Sequence, residues 1–225
     1  MILKILRLLL LLLTNGFCNP NNPTGTLIPG NALARLCRRH PQTRFVIDES
    51  YLAFVPTAKN ETMITVDLDN VLVLHSLSKI YRLPGLRIGF LIASPTIITQ
   101  FEPLMTPWRL NSLAQAAVAY ICAHPLEIEQ FVNETQRFIK IERNRFVSAT
   151  QTNPALTVFP THTSYHLIQL SRRLSAGEVC ARFEAERILI RNCSNFFGLS
   201  DQYVRMALGY TEVNNHLIGV LAGLN

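Results

Sequence analysis

The chain has 225 residues, of which 48% are hydrophobic and 16% charged, with 10 glycines and 12 prolines. At about 150 residues per domain this allows one large or two small domains with a real core, and it excludes disorder and collagen. The 21 Lys and Arg outweigh 15 Asp and Glu, for a formal charge of +6.

The basic clusters are Arg35, Arg38 and Arg39; Arg137, Lys140, Arg143 and Arg145; and Arg172 with Arg173. They match no recognisable nucleic-acid module, so they read as solvated helix faces and no nucleic acid is expected. The cysteines Cys18, Cys37, Cys122, Cys180 and Cys193 are widely spaced without a C-x-x-C pair, and no histidine spacing suits a metal. A cytoplasmic chain without a metal site is the expectation. Charge content below the roughly 25% of an average soluble chain points to surface covered by a partner subunit or by a missing piece of chain.

In chain order, residues 1–13 end in a leucine run and carry Lys4 and Arg7. The run is shorter than the ~20 residues of a membrane span, no A-x-A site follows, and Phe17 precedes Cys18 where a lipoprotein signal needs a small residue. This atypical apolar start, residues 1–14, reads as a buried strand that needs sheet neighbours, with no membrane anchor. The alternative is a membrane-anchored protein.

Next comes the turn cluster Asn19-Pro20-Asn21-Asn22-Pro23-Thr24-Gly25. Either it is a plain strand-to-helix turn, or it stiffly presents the Asn22 carboxamide at a sheet edge, where its N–H can donate to an anionic oxygen. Residues 33–39 read as helix and 45–47 as a strand that runs into Asp48-Glu49-Ser50-Tyr51. A carboxylate closing a buried strand is a helix cap or a counter-ion to a protonated heterocycle, with Tyr51 offering a phenol to the same ligand. Residues 71–75 form a strand leading to Ser76-Leu77-Ser78-Lys79, then Arg87 within Pro84-Gly85-Leu86-Arg87-Ile88-Gly89. A lysine at a buried strand end either snorkels or loses hydration and becomes a nucleophilic amine; the two serines and the arginine suit a phosphate.

Residues 88–93 read as another strand. Residues 111–122 and 126–150 read as helices broken at Pro125, where a domain boundary is placed: residues 15–125 form a large-domain remnant and 126–225 a smaller α/β domain. In the latter, strands are expected at 156–159, 165–170, 188–191 and 203–208, with helices between them and a last helix at 211–221.

The succession N-P-N-N-P-T-G, D-E-S-Y and S-L-S-K with its following arginine resembles the fold-type I pyridoxal-phosphate aminotransferase superfamily. This resemblance implies a mixed-sheet large domain and a small carboxyl-terminal domain. It assigns Lys79 as the catalytic lysine that condenses with the cofactor aldehyde, and Asp48 as partner of the pyridinium nitrogen. Asn22 and Tyr51 become donors to the ring oxygen, with Ser76, Ser78 and Arg87 as phosphate ligands. The stretch from Arg187 to Leu199, with Tyr203-Val204-Arg205 and Pro107-Trp108-Arg109-Leu110-Asn111, is similar to the threonine-phosphate decarboxylases of cobalamin biosynthesis. In that group Arg191 and Arg205, together with Asn22, would bind the anionic amino-acid phosphate substrate.

The implied reaction is decarboxylation of L-threonine O-3-phosphate to (R)-1-amino-2-propanol O-2-phosphate. Histidinol-phosphate aminotransferase is the alternative, and a truncated chain without activity is the second. The resemblance begins near Asn15. Relatives carry a further upstream portion with a phosphate-binding glycine turn and a ring-stacking aromatic, so the chain reads as lacking the amino-terminal third. A homodimer is implied if the fold is intact.

Overall fold

The computed structural model describes residues 14–105 and 107–224; the apolar start at residues 1–13, with the strand read there, lies outside them. The described chain divides into two compact units: residues 14–20 with Leu27–Glu134, and Asn21–Thr26 with residues 135–224.

The first unit contains β1 (Thr14–Cys18), α1 (Gly30–Arg39), β2 (Arg44–Asp48), α2 (Ala58–Glu61), β3 (Val71–Ser76), β4 (Gly89–Ile92), α3 (Pro95–Phe101), α4 (Ser112–Ala123) and the first part of α5 (Pro125–Thr150). The division falls inside α5, whose first residue is Pro125. The sheet runs β1-β2-β3-β4, with the first three strands parallel and β4 antiparallel to β3. Successive β2 residues serve opposite faces, as pleating requires. Phe45 and Ile47 pack with Leu33, Ala34 and Cys37 of α1 and with Val71 and Val73. Val46 packs on the other face with Leu72, Ile97 and Phe101. Burial on both faces explains the unbroken apolar runs of β2 and β3, each such side chain contributing roughly 1.5–3 kcal/mol.

β1, α2 and α3 escape the sequence reading. β1 is made of T-N-G-F-C, poor in strand-favouring residues, and is held by its parallel ladder from Thr14 opposite Arg44 to Cys18 opposite Asp48. α3 has β-branched residues that favour strands, but Pro95 opens it where a missing N–H costs nothing, and Ile97 and Phe101 share its buried face.

The second unit contains the rest of α5, β5 (Leu156–Val158), β6 (Tyr165–Leu170), α6 (Ala176–Ala185), β7 (Arg191–Asn192), β8 (Tyr203–Ala207) and α7 (Thr211–Ala222). Its antiparallel sheet has the order β5-β6-β8-β7. Ile168, Val179, Phe183, Val204 and Met206 are fully buried. Ser175 and Glu178 form a reciprocal capping box at the start of α6. Buried Glu142 of α5 accepts hydrogen bonds from Arg145 (2.6 Å), Asn214 (2.5 Å) and Thr211 (3.1 Å), tying α5 to α7.

The strand expected at 188–191 is corrected to Arg191–Asn192. The N–H groups of Arg187 and Ile188 return to the carbonyls of Glu184 and Phe183, and Arg187 adopts a left-handed φ of 59°. The apolar triplet after it is therefore spent leaving the helix, with Leu189 exposed.

Candidate functional site

Parallel pairing of β2 with β3 brings Asp48 beside Leu74, so the carboxyl ends of the two strands share one edge of the first sheet. Asp48 Oδ1 accepts from the N–H of Ser50 at 2.9 Å and from its hydroxyl at 2.5 Å. Among the described residues no group donates to Asp48 Oδ2. The aspartate is thus held by one oxygen and offers the other. Beyond it, Tyr51 lies under Lys79, with the ammonium 5.5 Å from the ring centroid. Glu49 points the other way into the core. Its oxygens take the Thr62 hydroxyl and the Met63 N–H, each at 2.6 Å, and burial pushes its carboxyl above the usual range.

Ser76 ends β3, and the turn after it carries Ser78 and Lys79. The Ser76 hydroxyl bonds the Ser78 hydroxyl at 2.9 Å and accepts the Ser78 N–H at 3.1 Å, so both hydroxyls sit at one point. Gly89 lies opposite Ser76 in the β3–β4 ladder. A Cβ on Gly89 would stand 2.7 Å from the His75 carbonyl, so only glycine lets β4 approach here. Arg87, just before β4, is exposed, has a left-handed φ of 54°, and donates to the Pro84 carbonyl at 3.2 Å. No hydrogen bond joins it to either serine among the described residues.

Of the two readings of Lys79, snorkelling from the strand end or loss of hydration there, its exposure agrees with the first: it stands beyond Ser76 on a turn that carries it clear of the sheet. His75, which the sequence reading passed over, has a buried Nδ1 without a partner among the described residues. Burial lowers its pKa, with the charge of Asp48 opposing.

In the second unit, β7 and β8 place Arg191 directly opposite Arg205. Opposite residues of an antiparallel pair project from the same face. Arg205 donates through Nη1 to Asn22 Oδ1, and its guanidinium lies 4.8 Å from the ring centroid of Tyr165. Its Nε is buried without a partner among the described residues. Arg191 is exposed, donates to Asn195 Oδ1 at 2.9 Å and lies 5.4 Å from the Phe196 ring. Asn22 is held by its own loop: the Asn21 N–H meets the Thr26 carbonyl at 2.8 Å, and Gly25 has a left-handed φ of 72°. Both Asn19-Pro20 and Asn22-Pro23 are cis.

The assigned residues therefore form two clusters, one in each unit. Sequence reasoning missed Ser50 and Tyr165; the first was detectable as a serine two positions after an aspartate, and the second has no local signal. A hollow of about 260 Å³ between residues 63–68 and Val71, Val73 and Ile92 shares no residue with either cluster. Among the described residues no acidic, histidine or cysteine group could hold a metal, and no helix is long and apolar enough to cross a membrane.

The sequence pattern described as Aminotransferase class I and II matches residues 16–221. The chain belongs to this family. Among class I and II aminotransferase relatives, threonine-phosphate decarboxylase of Salmonella typhimurium is 32% identical over 209 residues, 91% of this chain and 55% of that protein. Histidinol-phosphate aminotransferase 1 of Burkholderia lata is 30% identical over 202 residues, 90% of this chain and 54% of that protein. The crystal structure of L-threonine-O-3-phosphate decarboxylase from Porphyromonas gingivalis matches with a TM-score of 0.83 and 32% identity, over 93% of this chain and 63% of that one. The chain thus spans about half the length of these two sequence relatives.

Proposed function

We propose that this chain is the cofactor- and substrate-binding portion of a pyridoxal-phosphate-dependent decarboxylase of cobalamin biosynthesis. It would convert L-threonine O-3-phosphate to (R)-1-amino-2-propanol O-2-phosphate. The observation that carries this reading is the pairing of Arg191 with Arg205 on one sheet face. Two cations held opposite each other, one with an unpartnered buried N–H, suit a substrate that is anionic at both ends.

The donor set of the first unit fits the cofactor. Asp48 offers a free oxygen to a ring N–H⁺ while Ser50 fixes the other. Ser76 and Ser78 bring two hydroxyls to one point for phosphate, with Arg87 as the third ligand. Tyr51 supplies a phenol next to the Lys79 amine; the Asn22 amide, which belongs to the second unit, would be a further donor to the ring oxygen only as the family resemblance implies. When bound, pyridoxal phosphate supplies a conjugated ring that accepts the electron pair released at the substrate α-carbon. Lys79 would hold the cofactor through its aldehyde, and its amine would be the group available to move a proton at the substrate α-carbon. Arg191 and Arg205 would hold the anionic ends of the substrate and so fix its orientation. The side chains of Trp108, Leu113 and Leu126 are exposed in the first unit, and a homodimer is part of the proposal.

The near-equal identity to the Burkholderia lata relative supports a second reading, amino transfer from histidinol phosphate. Product analysis separates the two: carbon dioxide release from threonine phosphate is expected, and 2-oxoglutarate-dependent deamination of histidinol phosphate would favour the second. Binding of neither substrate nor cofactor identifies a chain without activity.

A further inference from the structure

Tyr165 opens β6 and is 2% exposed, a polar aromatic in a core position that no step of the chemistry above uses. The β6–β8 register pairs Tyr165 with Ala207 and Leu167 with Arg205, so Tyr165 and Arg205 are diagonal neighbours on one face, within aromatic reach. Two contacts exploit this placement. The ring lies under the Arg205 guanidinium at 4.8 Å, and the hydroxyl donates to the Asn21 carbonyl at 2.8 Å. Arg205 closes the triangle by donating to Asn22 Oδ1.

We infer that Tyr165 is a positioning residue that locks Asn22 and Arg205 into one unit. The inference rests on the proposed function, in which Arg205 binds an anionic end of the substrate and Asn22 donates to the cofactor. The face of the ring sets the height of the guanidinium by cation–π attraction, and Nε is buried without a partner among the described residues. The hydroxyl fixes the backbone just before Asn22. With its oxygen turned to Arg205, the Asn22 amide presents its N–H₂ away from that arginine, the orientation a donor role requires. Because Asn22 and Arg205 share a bond, loading of the arginine is felt at the amide. The two jobs of Tyr165 are separable: Tyr165→Phe keeps the ring and loses the hydroxyl, whereas Tyr165→Leu loses both.

The test uses the full chain labelled with ¹⁵N, the Asn22 side-chain resonance being assigned by its loss in Asn22→Asp. O-phospho-L-threonine and inorganic phosphate are titrated separately without cofactor. The wild type is expected to bind O-phospho-L-threonine with a shift of the Asn22 amide. Tyr165→Phe should bind it within about twofold of wild type but start from a displaced Asn22 resonance. Tyr165→Leu should bind about thirtyfold more weakly, the scale of a lost desolvated cation–π contact. In turnover the same logic predicts that Tyr165→Phe lowers kcat more than it changes KM and that Tyr165→Leu raises KM. If the wild type binds neither anion, the proposed function fails. If it binds O-phospho-L-threonine and Tyr165→Phe leaves both the Asn22 resonance and the kcat/KM pattern unchanged, the inference is overturned while the functional reading stands. Tyr165→Phe is the deciding variant should Tyr165→Leu not fold.

Discussion

Arg191 and Arg205 stand directly opposite each other across the antiparallel β7–β8 pair, two cations on one face with no carboxylate bonded to either among the described residues. Like charges in this relation oppose folding by roughly 0.2–1 kcal/mol, and an anion between them reverses the sign. Inorganic phosphate should therefore raise the thermal midpoint of the wild type. Arg191→Gln should remove that rise while leaving the phosphate-free midpoint at or above the wild-type value. An equal rise in both proteins, read by scanning fluorimetry, would contradict an anion site here.

Gly25 belongs to the loop that carries Asn22. Its φ of 72° lies where side chains are strained, and a Cβ would stand 2.0 Å from Thr161 Oγ1. Gly25→Ala should lose at least about 1–3 kcal/mol, from the backbone alone. Urea unfolding checks this, and a loss below half a kcal/mol would show that the loop yields.

Glu142 predicts a pH effect. The hydrogen bond from Arg145, then those from Asn214 and Thr211, hold its carboxyl below the usual range against the opposing effect of burial. A carboxylate with a depressed folded pKa adds stability that is present above the unfolded value of about 4.3 and is lost as pH falls towards the folded value. Glu142→Gln should thus cost about 1.5–3 kcal/mol at pH 7, and the gap should close progressively below about pH 4. Glu49 works in the opposite sense: its raised pKa favours the folded state at low pH, and that contribution is lost as pH climbs through its folded pKa. Denaturant midpoints of wild type and Glu142→Gln across the acid range are the measurement. A gap independent of pH would place the loss in packing rather than charge.

What was legible in the sequence follows from range. β2 and β3 are buried on both faces, so their apolar runs and the polar residues that end them are visible locally, and the roles suggested for Asp48, Ser76 and Lys79 follow from those strand ends. β1 has no such signature because its ladder to β2, not its side chains, makes it a strand. The triplet at 188–190 misleads because apolar character says nothing about the left-handed turn at Arg187. Tyr165 is invisible for a different reason: its hydrogen bond reaches Asn21, 144 residues away. The exposure of Lys79 is a property of where its turn lies, which composition does not encode.

The central claim is that Lys79 is the amine that captures a cofactor aldehyde beside Asp48. Titrating the purified chain with pyridoxal phosphate and following its near-visible absorbance tests this most directly. A saturable band in the wild type that is absent from Lys79→Ala and weakened in Asp48→Asn is predicted. The same band in wild type and Lys79→Ala would contradict it.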